Sequence, residues 1–376
     1  MRFLHISDLH IGKRLNETSM LDDQKAILDE ILVLSDKAQA VLIAGDIYDK
    51  GVPQADAVEV FDRFLTALRK KNKKVFMISG NHDTPERIAF ASDILDNDGI
   101  YISPAFDGNV KKTTVSDEYG KINIYLLPFV KPPVVRRFFP QSKAETYNDA
   151  IKTVIENIDI DESERNILVC HQFVTGATRS DSEEINVGGL DNVDAEIFSK
   201  FDYVALGHIH RSQYVGYEKI RYCGTPLKYS FSEANDQKSV LMIMLNEKGT
   251  LKSEKLMLHP IHDMREIKGT YDKLMSKSSY TDSDRNDYLH ITLTDNYEQP
   301  NAFYYLREVY PNIIRFDIEQ KDGKASEYNA TINEYKDKTA LEIFGDFFKQ
   351  QNGKELNTEQ SEFIADILSD IEGEKK

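Results

Sequence analysis

Apolar and polar positions along the first hundred residues follow two rhythms. Short β-prone runs at residues 2–6, 41–44 and 75–79 alternate with stretches whose apolar residues recur about every 3.6 positions. Ile27, Ile31, Leu34 and Ala38 predict a helix over 21–38, and Val58, Phe61, Leu65 and Leu68 predict another over 55–71. Pro85, just after Asp83 and Thr84, predicts a further helix start. Alternation of this kind predicts an α/β fold with a largely parallel sheet.

From Tyr101 the rhythm changes. Strands are predicted at 122–127, 167–170, 203–206, 220–223 and 239–245, with one helix at about 143–158. Lys131-Pro132-Pro133 reads as a rigid surface loop. Residues 175–192 are rich in Gly, Ser, Asp and Glu and read as a long loop, a feature that is often functional. Past His259-Pro260 the pattern becomes β-α-β-α-β over about 262–325. A polar linker follows, then a helical, charged tail with two apolar stripes: Leu341, Phe344, Phe347 and Phe348, and Phe363, Ile364, Ile367, Leu368 and Ile371. The expected division is 1–260, 261–325 and 326–376.

Composition narrows the class. Lys and Arg number 47 against 63 Asp and Glu, a net charge of −16. That balance disfavours a protein that coats nucleic acid by general electrostatics. It leaves room for a nucleic-acid enzyme whose metal cations supply local positive charge. Cys170 and Cys223 are the only cysteines, which fits a reducing compartment and small buried apolar roles. The start of the chain lacks the succession of a secretory signal. The longest apolar runs, such as 240–245, fall far short of the about 20 residues of a membrane span. A soluble, cytoplasmic protein is expected.

The chemistry lies at strand ends. Asp8-Leu9-His10, Gly45-Asp46, Gly80-Asn81-His82, His171 and Gly207-His208-Ile209-His210 each directly follow an apolar run. In open α/β sheets, ligands bind beyond the carboxyl ends of the strands. Five such ends exceed the needs of one ion and suggest two ions side by side, an arrangement suited to attack on phosphorus. If these segments stay extended, residues two apart share a side: Asp8 and His10 would face one ion, and His208 and His210 likewise. Carboxylate, amide and imidazole donors without thiolate suit Mn²⁺, Fe²⁺ or Zn²⁺, with Asp46 the natural bridging carboxylate. Each motif alone is weak. A lone Gly-Asn-His, for example, is more often a turn with a left-handed Asn. The order of all five carries the inference. His5 reads as a packed core residue, and His259, His262 and His290 have no ligand-like context.

In that order the motifs resemble the calcineurin-like metallophosphoesterases. The opening Met1-Arg2-Phe3-Leu4-His5-Ile6-Ser7-Asp8-Leu9-His10-Ile11-Gly12 narrows the resemblance to a branch of DNA nucleases. Ala44-Gly45-Asp46-Ile47-Tyr48-Asp49, Ile78-Ser79-Gly80-Asn81-His82-Asp83, Ala205-Leu206-Gly207-His208-Ile209-His210 and Tyr222-Cys223-Gly224-Thr225-Pro226-Leu227 agree with it. It covers roughly residues 1–240. It implies a metallophosphoesterase four-layer fold, two packed mixed sheets flanked by helices, with a small α+β capping domain and a helical C-terminal tail. It also implies that Asp8, His10, Asp46 and His210 hold one Mn²⁺, and that Asp46, Asn81, His171 and His208 hold the other. His82 would stabilise charge or protonate the leaving 3′-oxygen, and Asp83 would orient His82. Asp49 stands where archaeal and eukaryotic members place a histidine. The activity implied is hydrolysis of DNA as a 3′-to-5′ exonuclease and as an endonuclease on ends and hairpins, in repair, recombination and replication. A coiled-coil ATPase partner and a homodimer are implied as well. Lys13, Arg14 and Arg87 follow the motifs and are candidate DNA contacts. Leu341, Phe344, Phe348, Phe363, Ile367 and Ile371 form helical faces suited to a partner coiled coil. Because the fold alone does not select a substrate, small phosphodiesters or phosphoproteins are the alternative.

Overall fold

The computed structural model describes residues 1–183, 192–281, 284–295 and 301–319, and, further on, 341, 344, 345, 348, 349, 354–358, 360, 361, 363–365 and 367. Four parallel strands open the chain: β1 (Arg2–Ile6), β2 (Ala40–Ala44), β3 (Lys74–Ile78) and β4 (Ile100–Ile102), side by side in that order. β2 is buried at all five positions, as expected of a parallel strand covered on both faces. The crossovers are α1 (Leu21–Leu34) and α2 (Ala55–Lys70), and the short helices α3 (Pro85–Ile88) and α4 (Ser92–Asp96) lead into β4.

A second sheet is built from β5 (Lys111–Asp117), β6 (Gly120–Leu127), β7 (Arg165–His171), β8 (Tyr203–Gly207), β9 (Gln213–Val215) and β10 (Tyr217–Tyr222). Its order is β9-β10-β8-β7-β6-β5, parallel except for the two edge strands. The chain then returns to the first sheet through β11 (Ser239–Leu245), antiparallel to β1, and β12 (Leu251–Met257). The inner faces of the sheets meet, Phe3, Leu42 and Phe76 against Ile124, Ile167 and Val169. Outside, Ile27, Ile31, Phe61 and Phe64 of α1 and α2 cover the first sheet. Ile151, Val154 and Ile155 of α6 (Tyr147–Glu156), together with α5 (Pro132–Phe138), cover the second. This is the expected four-layer arrangement.

Several local expectations change. Pro132 and Pro133 do not form a loop; they fill the first turn of α5, where a missing N–H costs no bond. The helix predicted over 143–158 starts only at Tyr147. Thr146 caps it by accepting from Asp149 N at 3.1 Å, while Asp149 accepts from Thr146 N at 3.1 Å. β5 and β12 went unrecognised because they are charged edge strands, and a lysine-rich edge carries no apolar run.

The β-α-β-α-β segment comprises β13 (Met264–Gly269), α7 (Tyr271–Met275), β14 (Tyr288–Leu293), α8 (Ala302–Val309) and β15 (Ile313–Ile318), an all-parallel three-stranded sheet. Leu274, Leu289, Ile291, Leu306 and Tyr310 give it a core of its own. It is tied to the first sheet's helical layer at Asp23 of α1, which accepts from Tyr288 Oη at 2.7 Å and His262 Nδ1 at 3.1 Å. Met1–Glu319 forms one compact unit and Gln320–Lys376 a second. In the second, Asn357 caps a helix by accepting from Gln360 N at 2.8 Å, and Phe363 and Ile367 on that helix are exposed. Leu341, Phe344 and Phe348 are half-buried. Ile371, Phe347, Leu368 and the predicted linker lie outside the described residues.

Candidate metal centre

β1, β2 and β3 are adjacent in the first sheet, and β7 and β8 in the second. Their carboxyl ends open on one crevice across the two sheets. The glycines of the motifs have a steric origin. A Cβ on Gly80 would overlap Asp46 Oδ1, and one on Gly207 would overlap the Ala44 carbonyl oxygen. Backbone passes against backbone at these points, so each ligand comes from the residue after the glycine.

The turns are not extended. Asp8, His10, Asp46 and His208 all have positive φ, at 52°, 44°, 49° and 98°. Such conformations cost of order 1–3 kcal/mol each and persist only when the surroundings hold them. Here Asp8 N donates to Gly45 O at 3.0 Å, His10 N to Asp46 O at 3.0 Å and His208 N to Asp8 Oδ1 at 2.9 Å. Asp8 and His10 still reach one locus, but the reason is a bend. His208 and His210 do not share an ion-sized locus, contrary to the extended reading. His208 Nδ1 lies 3.0 Å from Asn81 Oδ1, whereas His210 Nε2 lies 3.2 Å from His10 Nε2.

Two nests of acceptor atoms result. Asp8, His10 and His210 bring ligand atoms within 4.8 Å of one another. Asn81 Oδ1, His171 Nε2 and His208 Nδ1 form the other, with His171 Nε2 3.0 Å from Asn81 Oδ1. Asp46 Oδ2 lies between them, 3.3 Å from His171 Nε2 and 3.8 Å from His10 Nε2. His171 Nδ1 faces the Ala44 carbonyl at 2.8 Å and can only donate to it, so the lone pair of a neutral His171 sits on Nε2. That lone pair then faces two oxygen acceptors. A lone pair facing two buried oxygens in this way calls for a cation. The electrostatics agree. Burial drives the His208 pKa down to about 3 and His10 well below its usual range, keeping both imidazoles neutral. Burial also lowers His171, but the Asp46 carboxylate overrides it and lifts the pKa to about 9, a proton standing where a cation would.

His82 lies beside the nests. Its backbone N donates to Asp46 Oδ1 at 2.9 Å, and its Nδ1 donates to the Asp49 carbonyl at 3.0 Å. One Asp46 oxygen therefore fixes His82 while the other faces the nests. Asp83 accepts from the backbone amides of Gly80, Ile47 and Tyr48 at 2.9, 3.1 and 3.0 Å, stapling the turns after β2 and β3 together. Burial and the Asp46 charge raise its pKa to about 6. Lys13 lies near the site, with Nζ 2.8 Å from Asp49 Oδ1. Arg14 is exposed and donates to Glu17 O within its own hairpin, and Arg87 is exposed on α3. His259, His262 and His290 each face a carboxylate, that of Glu30, Asp23 or Glu266. His5 is buried, and Cys170 and Cys223 are buried free thiols.

Sequence reasoning missed a layer behind His210 made by Ser182, Glu183, Glu233 and Lys238, and Arg179, whose guanidinium sits 3.6 Å over the Phe173 ring. The only signal for it was the long polar loop of 175–192. No helix among the described residues is long and apolar enough to cross a membrane.

Comparison with known proteins adds to this geometry. Residues 1–212 match the calcineurin-like phosphoesterase family, and residues 260–352 match the type 5 capsule protein repressor C-terminal domain. The SbcD subunit of the nuclease SbcCD from Staphylococcus epidermidis is 30% identical over 377 residues, covering 99% of each chain. One solved structure aligns at 12% identity and a TM-score of 0.35, over 68% of this chain and 98% of its own, a likeness that adds no weight.

Proposed function

The chain belongs to the calcineurin-like phosphoesterases, alongside the SbcD components of SbcCD nucleases, and from that premise we propose that it is a dinuclear-metal DNA nuclease. It acts as a 3′-to-5′ exonuclease and as an endonuclease on DNA ends and hairpins. Its setting is the cytoplasm, as a homodimer working with an SbcC-type coiled-coil ATPase in repair, recombination and replication. The observation that carries the proposal is the pair of acceptor nests sharing Asp46. Asp8, His10, Asp46 and His210 hold one ion, and Asp46, Asn81, His171 and His208 the other. Oxygen and imidazole donors without thiolate suit Mn²⁺, Fe²⁺ or Zn²⁺, and Mn²⁺ is the ion that the family resemblance implies. When bound, such cations neutralise phosphate oxygens and acidify water.

The remaining roles belong to the chain's own side chains. With Nδ1–H held by the Asp49 carbonyl, His82 presents Nε2 as the atom that delivers a proton to the leaving 3′-oxygen. Asp83 keeps that turn in place. Residues 1–260 form the nuclease domain and 261–325 a cap that contacts DNA. Lys13, Arg14 and Arg87 contribute phosphate contacts. Residues 326–376 dock the ATPase through Leu341, Phe344, Phe348, Phe363, Ile367 and Ile371.

The test is hydrolysis of end-labelled linear DNA by the purified chain with Mn²⁺, beside bis-p-nitrophenyl phosphate and a phosphopeptide. DNA cleavage that stops on chelation supports the reading. Turnover of the phosphopeptide with DNA left intact overturns it in favour of a phosphoprotein phosphatase.

A further inference from the structure

His210 is gripped from behind by groups that the proposed ligand set does not include. Ser182 Oγ lies 2.6 Å from His210 Nδ1 and 2.5 Å from Glu233 Oε1. Glu183 Oε1 accepts from His210 N at 2.7 Å, and Lys238 Nζ donates to His210 O at 3.0 Å. Glu233 is fully buried, and its other oxygen takes Lys238 Nζ at 2.5 Å and Thr225 Oγ1 at 3.3 Å.

Hydrogen-bond polarity orders this chain of groups. A carboxylate paired with an ammonium only accepts. Ser182 has a single hydroxyl proton, and Glu233 Oε1 is the acceptor that takes it. Ser182 Oγ then accepts in turn, so His210 Nδ1 must carry the hydrogen. The lone pair is left on Nε2, the atom that lies in the first nest beside His10. Imidazoles that bind metals are generally held through their second nitrogen by a carboxylate, a carbonyl or water, and loss of that partner costs roughly 10–100-fold in metal affinity.

We propose that Ser182 and Glu233 are positioning residues for the metal centre, forming a carboxylate–hydroxyl–imidazole relay that fixes the tautomer and aim of His210. The proposal rests on reading His210 as a ligand. It also makes the loop carrying Ser182 part of the centre. The loop is pinned where Asp181 N donates to Ser232 Oγ at 2.9 Å and Thr178 N to Gln213 Oε1 at 2.9 Å. Moving the loop would therefore loosen one ion and spare the other.

Calorimetric Mn²⁺ titration of the full chain, with melts of the metal-free protein, tests this in four variants. Ser182→Ala should weaken one of two equivalents about 10- to 100-fold, leave the other unchanged and barely move the metal-free melt. Ser182→Thr, which keeps the hydroxyl, should restore the affinity. Glu233→Gln should weaken the same equivalent, and it serves as the second probe if Ser182→Ala does not fold. His210→Ala should lose that equivalent outright. Wild-type affinity for both ions in Ser182→Ala, with one equivalent lost in His210→Ala, overturns the relay. Two equivalents retained in His210→Ala overturn the ligand reading itself, and the relay with it.

Discussion

Asp46 faces both halves of the centre: Oδ1 takes the His82 backbone amide and Oδ2 faces His171 and His10. Asp46→Asn should therefore weaken both metal equivalents, whereas Asn81→Asp, which keeps an oxygen donor and adds charge, should disturb binding less. Mn²⁺ titration of the two variants gives the order, and small, equal effects would remove Asp46 from the shared position. His82→Ala should keep two ions yet lower turnover by roughly 10²–10⁴-fold, the usual contribution of a positioned acid–base group. Metal counting beside DNA cleavage checks it, and loss of one equivalent would make His82 a ligand, as its closeness to His10 and Asp46 allows. At this scale the sequence displayed the donor types and their order. It did not display how they are aimed. Extended geometry put His208 and His210 together, while the left-handed His208 separates them, and a φ angle leaves no mark in a His-x-His spacing. Ser182 and Glu233 were illegible for a related reason, because a serine and a glutamate 51 positions apart have no register until the fold sets them 2.5 Å apart.

Among the elements, those buried on both faces were legible and the charged edges were not. β2 and β8 are continuous apolar runs, whereas β5 reads Lys-Lys-Thr-Thr-Val-Ser-Asp and looks like a loop. Yet that edge holds a main tie between the sheets. Arg165 of β7, 2% exposed, donates to both oxygens of Asp117 in β5 and to the carbonyls of Gly120, Leu245 and Asn246. Removing this donor strips the carbonyls of a partner, although Asp117 keeps the Met1 amine at 2.7 Å, so Arg165→Met should lose about 1–3 kcal/mol at neutral pH. The pH dependence has a definite sign. Burial by itself would raise the Asp117 pKa, but hydrogen bonds from Arg165 and from the Met1 amine outweigh it and hold the carboxyl below its usual range. A depressed pKa gives stability that is complete above the unfolded value of about 3.9 and fades as pH falls through the folded one. Urea melts should therefore show the gap between wild type and Arg165→Met widest at neutral pH and narrowing below about pH 4. A gap that stays constant through that range would assign the loss to packing alone.

For the whole molecule, the net charge of −16 is an average over the chain and does not set the local potential at the centre. Closure of the two sheets was legible only through the family resemblance, since strand order is not written in periodicity. The cap was legible directly, because strands and helices alternate from 264 to 318 around a core of their own. Every proposed ligand precedes residue 211, and the unit that contains them is complete by Glu319. The role proposed for the tail therefore draws on none of the ligands. Phe363 and Ile367 are 65% and 40% exposed on a helix that begins with its own cap at Asn357. Apolar side chains yield about 1.5–3 kcal/mol each when covered, so a face of three or four supports specific docking after the cost of ordering. Deletion from about residue 335 onward should abolish association with the ATPase and leave Mn²⁺-dependent cleavage of DNA by the isolated chain near its full rate. Co-purification with the partner and thermal melts of both chains check this. Retained association would place the docking face before about residue 335, and a collapsed melt would show that the tail helices are needed for the fold of the rest.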